Sequence, residues 1–167
     1  MKIPVYKTEA ILIKRVDLGK KDKLLSIYSQ EFGKILVKAR GLRKKEAKLK
    51  ESLELFNHLH LMMAKSRSID TIVSASIINS FPSLKSQLLS LASAYYLSEV
   101  IDKLIVAPEK DERIWQLILK TFYFLNRNNL DLSKIKELLT KFEWHLLSYL
   151  GYQPPKVKKT YLDFIEN

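Results

Sequence analysis

Apolar and polar residues alternate over most of the first 80 residues of this chain. From about Thr8, the side chains alternate, with Ile11 and Ile13 on one side of the chain and Leu12 and Lys14 on the other. This alternation ends at a turn-like Asp-Leu-Gly sequence. Similar alternation follows in residues 24–30, 34–40, 53–64 and 69–78. Because successive side chains of a strand point to opposite faces, this pattern predicts five strands. Five short strands in succession favour a small closed or partly closed β-barrel, with strands two and three joined as a hairpin.

The alternation groups the side chains of the last two strands by parity. In the fourth strand, Leu55, Leu59, Leu61 and Met63 share one parity, with Phe56, His58 and His60 on the other. In the fifth strand, Ile69, Val73, Ala75 and Ile77 are in phase. The segment between the third and fourth strands is predicted to be a basic loop that begins at Gly41.

At Ser80-Phe81-Pro82-Ser83 the apolar period changes to that of a helix. Three helices are predicted: one that ends before Pro108, one that begins at residues 109–112, and one over residues 132–150. Their apolar stripes are, in order, Leu84, Leu88, Leu91, Tyr95, Ile101 and Leu104; Ile114 or Trp115, Ile118, Phe122 and Leu125; and Ile135, Leu138, Leu139, Phe142, Leu146 and Leu150. Gly151 suits the position after a helix end, and Pro154-Pro155 prevents continuation. The predicted fold class is α+β, with a barrel domain at 1–80 and a helical domain with a short tail at 81–167.

Positive charge is concentrated in the first half of the chain. The formal net charge is +11, of which residues 1–80 carry +9, from 17 Lys/Arg and 8 Asp/Glu. The densest stretch, residues 34–50, contains eight cations and one acid. A charge run is often only a solvated face, and edge strands carry Lys to prevent pairing. The imbalance of the whole chain nevertheless favours a surface that binds a polyanion such as nucleic acid.

A rigid row of cations on the third strand, continued by a basic loop, suits a phosphate backbone. The candidate DNA-binding residues are Lys14, Arg15, Lys20, Lys21, Lys34, Lys38, Arg40, Arg43, Lys44, Lys45, Lys48, Lys50 and Arg67. Tyr28 and Phe32, near these cations, are candidates for base stacking, which is how barrels of this kind hold single strands.

Catalysis, metal binding and cofactors are not expected. The chain has no cysteine and no glycine-rich phosphate loop, and its carboxylates show no paired acid–base spacing. His58 and His60 could chelate a metal only with a third ligand, and none lies near them in sequence. No apolar segment reaches the roughly 18–20 residues of a membrane span, and the N-terminus does not resemble a signal peptide. We therefore expect an intracellular, non-membrane protein.

Several stretches, taken in order, resemble one known family. They are KTEAILIKR, the Asp-Leu-Gly turn, LLSIYSQEFGK, KARGLRK, IDTIVSASIINSFP and LLSYLGYQP. In this combination the chain resembles the RecO family of bacterial recombination-mediator DNA repair proteins over nearly its whole length. The resemblance implies an N-terminal OB-fold that binds DNA, followed by a helical domain. By position, the family's basic strand and loop fall on Lys34, Lys38, Arg40, Arg43, Lys44 and Lys45.

The resemblance also implies a function and partners. Such proteins are non-enzymatic: they bind single- and double-stranded DNA, anneal complementary strands, and help load recombinase onto strands coated by single-stranded-DNA-binding protein. The implied partners are RecR and the C-terminal tail of the single-stranded-DNA-binding protein, and the implied location is the cytoplasm, at the nucleoid. Many members carry a cysteine-ligated zinc module after the L-G-Y-x-P sequence. This chain has no cysteine, so we expect either a short, zinc-free member or a truncated one.

Two other functions stay open. The chain could be a protein-interaction adaptor, in which the helical half binds an acidic peptide in an apolar groove rimmed by cations. Candidates for that rim are Lys85, Lys103, Arg113 and Lys120. The chain could also be an RNA-binding OB protein, because nothing in the basic strand distinguishes the 2′-hydroxyl.

Overall fold

The computed structural model describes residues 2–41, 47–106 and 108–153. Its five strands are β1 (Val5–Leu18), β2 (Asp22–Ser29), β3 (Gly33–Ala39), β4 (His58–Ala64) and β5 (Thr71–Asn79). Its helices are α1 (Ala47–Ser52), α2 (Pro82–Ser86), α3 (Leu88–Leu104), α4 (Glu112–Leu125) and α5 (Leu132–Tyr149). The predicted α+β class, with strands first and helices after them, is confirmed.

The five strands form a closed barrel in the order β1-β2-β3-β5-β4. The long strand β1 closes it, because its first half pairs with β4 and its second half pairs with β2. β2 and β3 form the predicted antiparallel hairpin, and β3 pairs with β5 in parallel, with Lys38 opposite Thr71. A five-stranded barrel with this strand order is the OB-fold.

Side chains from all five strands fill the barrel. The buried core consists of Ala10, Leu12, Leu25, Ile27, Val37, Ala39, Leu53, Leu59, Leu61, Met63 and Ile72. Leu49 of α1 packs against it, and Leu53 directly follows α1. Part of the segment predicted to be a loop is therefore a helix that contributes to the core, which is a correction.

The beginning of β4 and the phase of β5 also differ from the prediction. β4 begins at His58 rather than at Leu53, and Phe56 before it has a left-handed φ of 70°. In β5, Ala75 packs against the core, whereas Val73 and Ile77 of the same parity are exposed. The β4–β5 pairing shifts register between Met62 and Met63, so Val73 is an extra residue and Ile72 is buried in its place, while Ile77 lies opposite the buried Leu59.

The first predicted helix is in fact two helices. α2 ends at Ser86 and α3 begins at Leu88, and the side-chain amide of Gln87 donates to the Ser83 and Arg127 carbonyls. The break changes the helical phase, so Leu88 and Tyr95 are exposed instead of buried. The buried residues of α3 are Ser90, Ser93, Ala94, Leu97, Ser98 and Ile101.

The predictions for the last two helices fit the structure better. The α4 stripe, Ile114, Trp115, Ile118, Phe122 and Leu125, is buried. In α5 the buried apolar residues are Ile135, Phe142 and Leu146. The Asp131 carboxylate caps the N-terminus of α5 by accepting from the Lys134 N–H at 2.8 Å, and Gly151 follows its end with a φ of 89°.

The chain divides into two compact units. One contains Met1–Phe81 with Ser98–Asp111, and the other contains Pro82–Leu97 with Glu112–Asn167. The first unit is thus the barrel together with the end of α3 and the residues after it. None of the described helices is both long and apolar enough to cross a membrane.

Candidate nucleic-acid interface

Cations gather at the end of the barrel where the β1–β2 turn meets the end of β3. The turn contains Lys20 and Lys21, and Gly19 provides the left-handed φ of 70° that the turn requires. Lys21 lies directly against the residue that follows β3: a Cβ on Gly41 would lie 2.9 Å from the Lys21 Cβ. We call Lys20, Lys21, Lys38 and Arg40 the barrel-end cluster.

Asp22 connects the two parts of this cluster. One carboxylate oxygen accepts from the Gly41 N–H at 2.7 Å, and the other lies 3.2 Å from the Lys38 ammonium. The Gly41 hydrogen bond, followed by the one from Lys38, holds the pKa of Asp22 below its ordinary value. Asp22 is therefore an ionised clamp that fixes Lys38 and the end of β3 beside the turn.

The other members of the barrel-end cluster present their charge to solvent. Lys20, Lys21 and Arg40 are exposed, and none of them forms an ion pair within the described part of the chain. Arg67, also exposed, lies in the segment that leads to the start of β5. That segment is attached to the same end of β3, because the Lys38 N–H donates to the Asp70 carbonyl at 2.8 Å.

Two predicted DNA-binding lysines are instead engaged by an acid of α3. Asp102 lies 3.3 Å from the Lys14 ammonium and 3.4 Å from that of Lys34. Lys34 also donates to the Asp102 carbonyl, and its side chain is only 16% exposed. Lys34 is therefore a partly buried cation that β3 presents to the end of α3.

The remaining predicted cations lie elsewhere or outside the described residues. The Arg15 guanidinium donates to the Leu53 carbonyl at 3.0 Å, so it supports the turn after α1. Lys50 is exposed on α1. Arg43, Lys44 and Lys45 lie outside the described residues, and so does the side chain of Lys48.

The two stacking candidates have different environments. Tyr28 is 1% exposed and belongs to the interior, so it offers no face to a base and its prediction is corrected. Phe32 is 36% exposed, and its ring meets the Tyr6 ring edge-on with centroids 4.9 Å apart. Tyr6 in turn lies under the Lys65 ammonium, at 4.8 Å from the ring centroid. Phe32 thus remains a stacking candidate.

Phe32 lines a cleft of about 820 Å³ in the first unit. Other residues of its lining, such as Tyr6, Lys65, Asp102 and Lys110, were not singled out from the sequence. They come from β1, the segment after β4, α3 and the segment after α3, and no local motif connects them. Only the folded chain shows that they share a cleft.

The two histidines of β4 have different environments. His58 lies 3.0 Å from the Glu9 carboxylate and is buried, whereas His60 is exposed. Burial, opposed by Glu9, lowers the pKa of His58. Among the described residues, no group of three potential ligands is positioned to hold a metal ion.

Two models of one protein family match the chain. The model described as "Recombination protein O N terminal" matches residues 1–81, and the one described as "Recombination protein O C terminal" matches residues 85–158. The first therefore covers the barrel strands, and the second covers most of the residues that follow them.

Curated relatives with the name DNA repair protein RecO are similar over most of the chain. The one from Roseiflexus sp. (strain RS-1) is 36% identical over 92% of this chain and 53% of its own length. The one from Dehalococcoides mccartyi is 34% identical over 89% of this chain and 57% of its own length. The one from Acetivibrio thermocellus is 30% identical over 89% of this chain and 58% of its own length. The chain thus spans about half the length of the curated relatives it matches.

Proposed function

The chain belongs to the RecO family of DNA repair proteins, and from this premise we propose that it binds DNA as a non-enzymatic mediator of repair and recombination. In this proposal it binds single- and double-stranded DNA and anneals complementary strands. It also helps load recombinase onto DNA coated by single-stranded-DNA-binding protein. Its partners would be RecR and the C-terminal tail of the single-stranded-DNA-binding protein, and its location the cytoplasm, at the nucleoid.

The barrel-end cluster is the observation that carries this proposal. Lys20, Lys21 and Arg40 are exposed without ion pairs to other described residues, so binding a phosphate there breaks no existing pair. The cluster is continuous in sequence with the cations of residues 43–50. Phosphate contacts supply most of sequence-independent DNA affinity, and they release counterions, so such binding depends steeply on salt.

The proposal is tested by measuring the binding of a fluorescent oligo(dT) across a salt series, for the wild type and for the Lys20→Glu/Arg40→Glu variant. We choose these positions because reversing Lys38 would bring a new carboxylate against Asp22 and disturb the fold. Each phosphate contact on a single strand contributes about −0.7 to the log–log salt slope, so the variant should show a slope shallower by about 1.4 and weaker binding.

Lys120→Glu/Lys134→Glu is the matched control, because it makes the same change in net charge at exposed positions of α4 and α5. Its salt slope should stay at the wild-type value. Equal losses in both double variants would mean that net charge, rather than the barrel-end cluster, determines binding. Wild-type protein that does not bind oligo(dT) would overturn the proposal itself.

The second candidate is the adaptor that binds an acidic peptide through its helical part. Exposed apolar residues on α3, including Leu88, Leu89 and Tyr95, favour it. In that case Lys20→Glu/Arg40→Glu would leave peptide binding intact while it weakens DNA binding. If the DNA affinity is negligible and the peptide affinity strong, the adaptor is the better description.

A further inference from the structure

The cleft that contains Phe32 has the size of a small-molecule site. Its volume of about 820 Å³ lies within the roughly 300–1,000 Å³ of ligand pockets. Its described lining residues all belong to the first unit and come from β1, β2, the β2–β3 turn, β3, the segment after β4 and the end of α3 with the residues that follow. It is separate from the barrel-end cluster, none of whose four residues lines it.

The charges in the cleft are balanced, unlike those of the barrel-end cluster. Among the described residues, the lining contains three ammonium groups, and each has a carboxylate partner that also lines the cleft. Lys34 pairs with Asp102 at 3.4 Å, Lys65 pairs with Asp70 at 3.3 Å, and Lys110 pairs with Glu31 at 3.1 Å. A phosphate entering the cleft would have to displace one of these carboxylates. The cleft therefore favours a neutral ligand over an anion.

The paired groups still offer donors and acceptors side by side. An ammonium has three N–H donors and a carboxylate has several acceptor positions, so one ion pair does not use all of them. The heteroatoms on the edge of a nucleobase likewise include both donors and acceptors. The polar part of the cleft therefore complements a neutral heterocycle.

Phe32 supplies a fixed aromatic surface. The edge-on contact with Tyr6 orients its ring, and Tyr6 is itself held by its hydroxyl, which donates to the Asp70 carboxylate. Leu36 and Val106, at 53% and 87% exposure, add apolar surface to the same lining. A ring that is oriented by neighbours yet open to solvent suits stacking with a flat ligand.

We propose that this cleft binds one unstacked nucleobase of a single strand, with Phe32 as the stacking surface, while the phosphates bind the barrel-end cluster. This inference rests on the proposed DNA-binding function and adds the chemistry of a second site. In a duplex the bases are paired and stacked, so they cannot enter the cleft. The cleft therefore raises affinity for single strands and leaves duplex affinity unchanged.

Phe32→Ala tests this with three fluorescent ligands of equal length: oligo(dT), an abasic oligonucleotide with the same backbone, and a blunt duplex. Loss of one stacked base should weaken oligo(dT) binding roughly 5- to 150-fold. Binding of the abasic strand and of the duplex should not change, because neither presents a free base. Phe32→Tyr, which keeps the ring, should bind oligo(dT) like the wild type.

Each other outcome overturns the inference in a recognisable way. If Phe32→Ala binds oligo(dT) normally, no base stacks on Phe32. If it binds all three ligands equally more weakly, Phe32 only supports the fold, and a lowered melting temperature would accompany the loss. In both cases the wild type still binds the abasic strand, so the proposed DNA-binding function survives. Wild-type protein that binds none of the three ligands would overturn both proposals.

Discussion

At the scale of single residues, Asp102 limits the availability of two predicted DNA-binding cations. Its carboxylate approaches two lysines from two different strands, Lys14 of β1 and Lys34 of β3. These pairs are partly exposed, so each contributes little to stability. Their consequence for binding is larger, because a phosphate that approaches either lysine competes with a carboxylate already in place.

Asp102→Asn should therefore strengthen DNA binding. The change frees Lys14 fully, whereas Lys34 keeps its hydrogen bond to the backbone carbonyl of residue 102. With one or two added phosphate contacts, the log–log salt slope on oligo(dT) should become steeper by about 0.7 to 1.4. A salt titration of the variant beside the wild type measures this.

Glu99→Gln provides the control for net charge. Glu99 lies on the same helix and pairs with Lys103, and its change removes the same single negative charge. Its slope should remain at the wild-type value. If both variants bind DNA equally more tightly, the gain comes from net charge and Asp102 has no special role.

At the scale of elements, the turns fix the strands to the segment after α3. Gly33 begins β3 with a left-handed φ of 69°, and its α-carbon faces the backbone of Glu109 so closely that a methyl group would collide with the Glu109 carbonyl. Gly19 in the β1–β2 turn has nearly the same φ of 70° but open space around it. Comparison of the two glycines therefore separates the cost of the left-handed conformation from the cost of a collision with backbone.

Gly33→Ala should destabilise the protein more than Gly19→Ala. A left-handed conformation costs a non-glycine residue roughly 1–2 kcal/mol, and both variants carry that cost. Only Gly33→Ala adds a collision with backbone, which cannot move as a side chain does. Urea unfolding of both variants measures the difference, and equal midpoints would contradict the close approach of Glu109.

The helices and strands also show when a local sequence pattern predicts the buried face correctly. The α4 stripe was predicted correctly because it follows a single unbroken helix. In α3, the break at Gln87 restarts the helical phase, so Leu88 and Tyr95 are exposed although Ile101 is buried. In β5, the register shift against β4 buries Ile72 in place of Val73. A period in the sequence identifies the type of element, but a break or bulge within it changes the buried face.

At the scale of the whole molecule, charge and tryptophan are distributed unequally. Residues 1–80 carry +9 of the net charge of +11, and the two tryptophans, Trp115 and Trp144, both belong to the second unit. Trp115 is 1% exposed, whereas Trp144 is 44% exposed. Tryptophan emission is therefore a natural reporter of ligands that bind the helices of the second unit.

Oligo(dT) bound only to the barrel should leave tryptophan emission unchanged while its own anisotropy rises. A Trp144→Phe variant gives the baseline, because the buried Trp115 is then the sole tryptophan. Quenching that oligo(dT) causes in the wild type and not in Trp144→Phe would show that DNA also contacts α5. That result would contradict binding through the barrel alone.

The sequence by itself determined the number and order of the strands, the change to helices near residue 80, and the concentration of charge in the first half. The elements follow from the periodicity of apolar residues, which local backbone geometry determines. The distribution of charge follows from residue counts alone. The tertiary structure alone decided the closure of the barrel, the burial of Tyr28 and the charge balance of the cleft. Asp102 is 88 residues from Lys14 and 68 from Lys34, so only the folded chain brings them together. Ion pairs across such distances depend on packing, which no local pattern encodes.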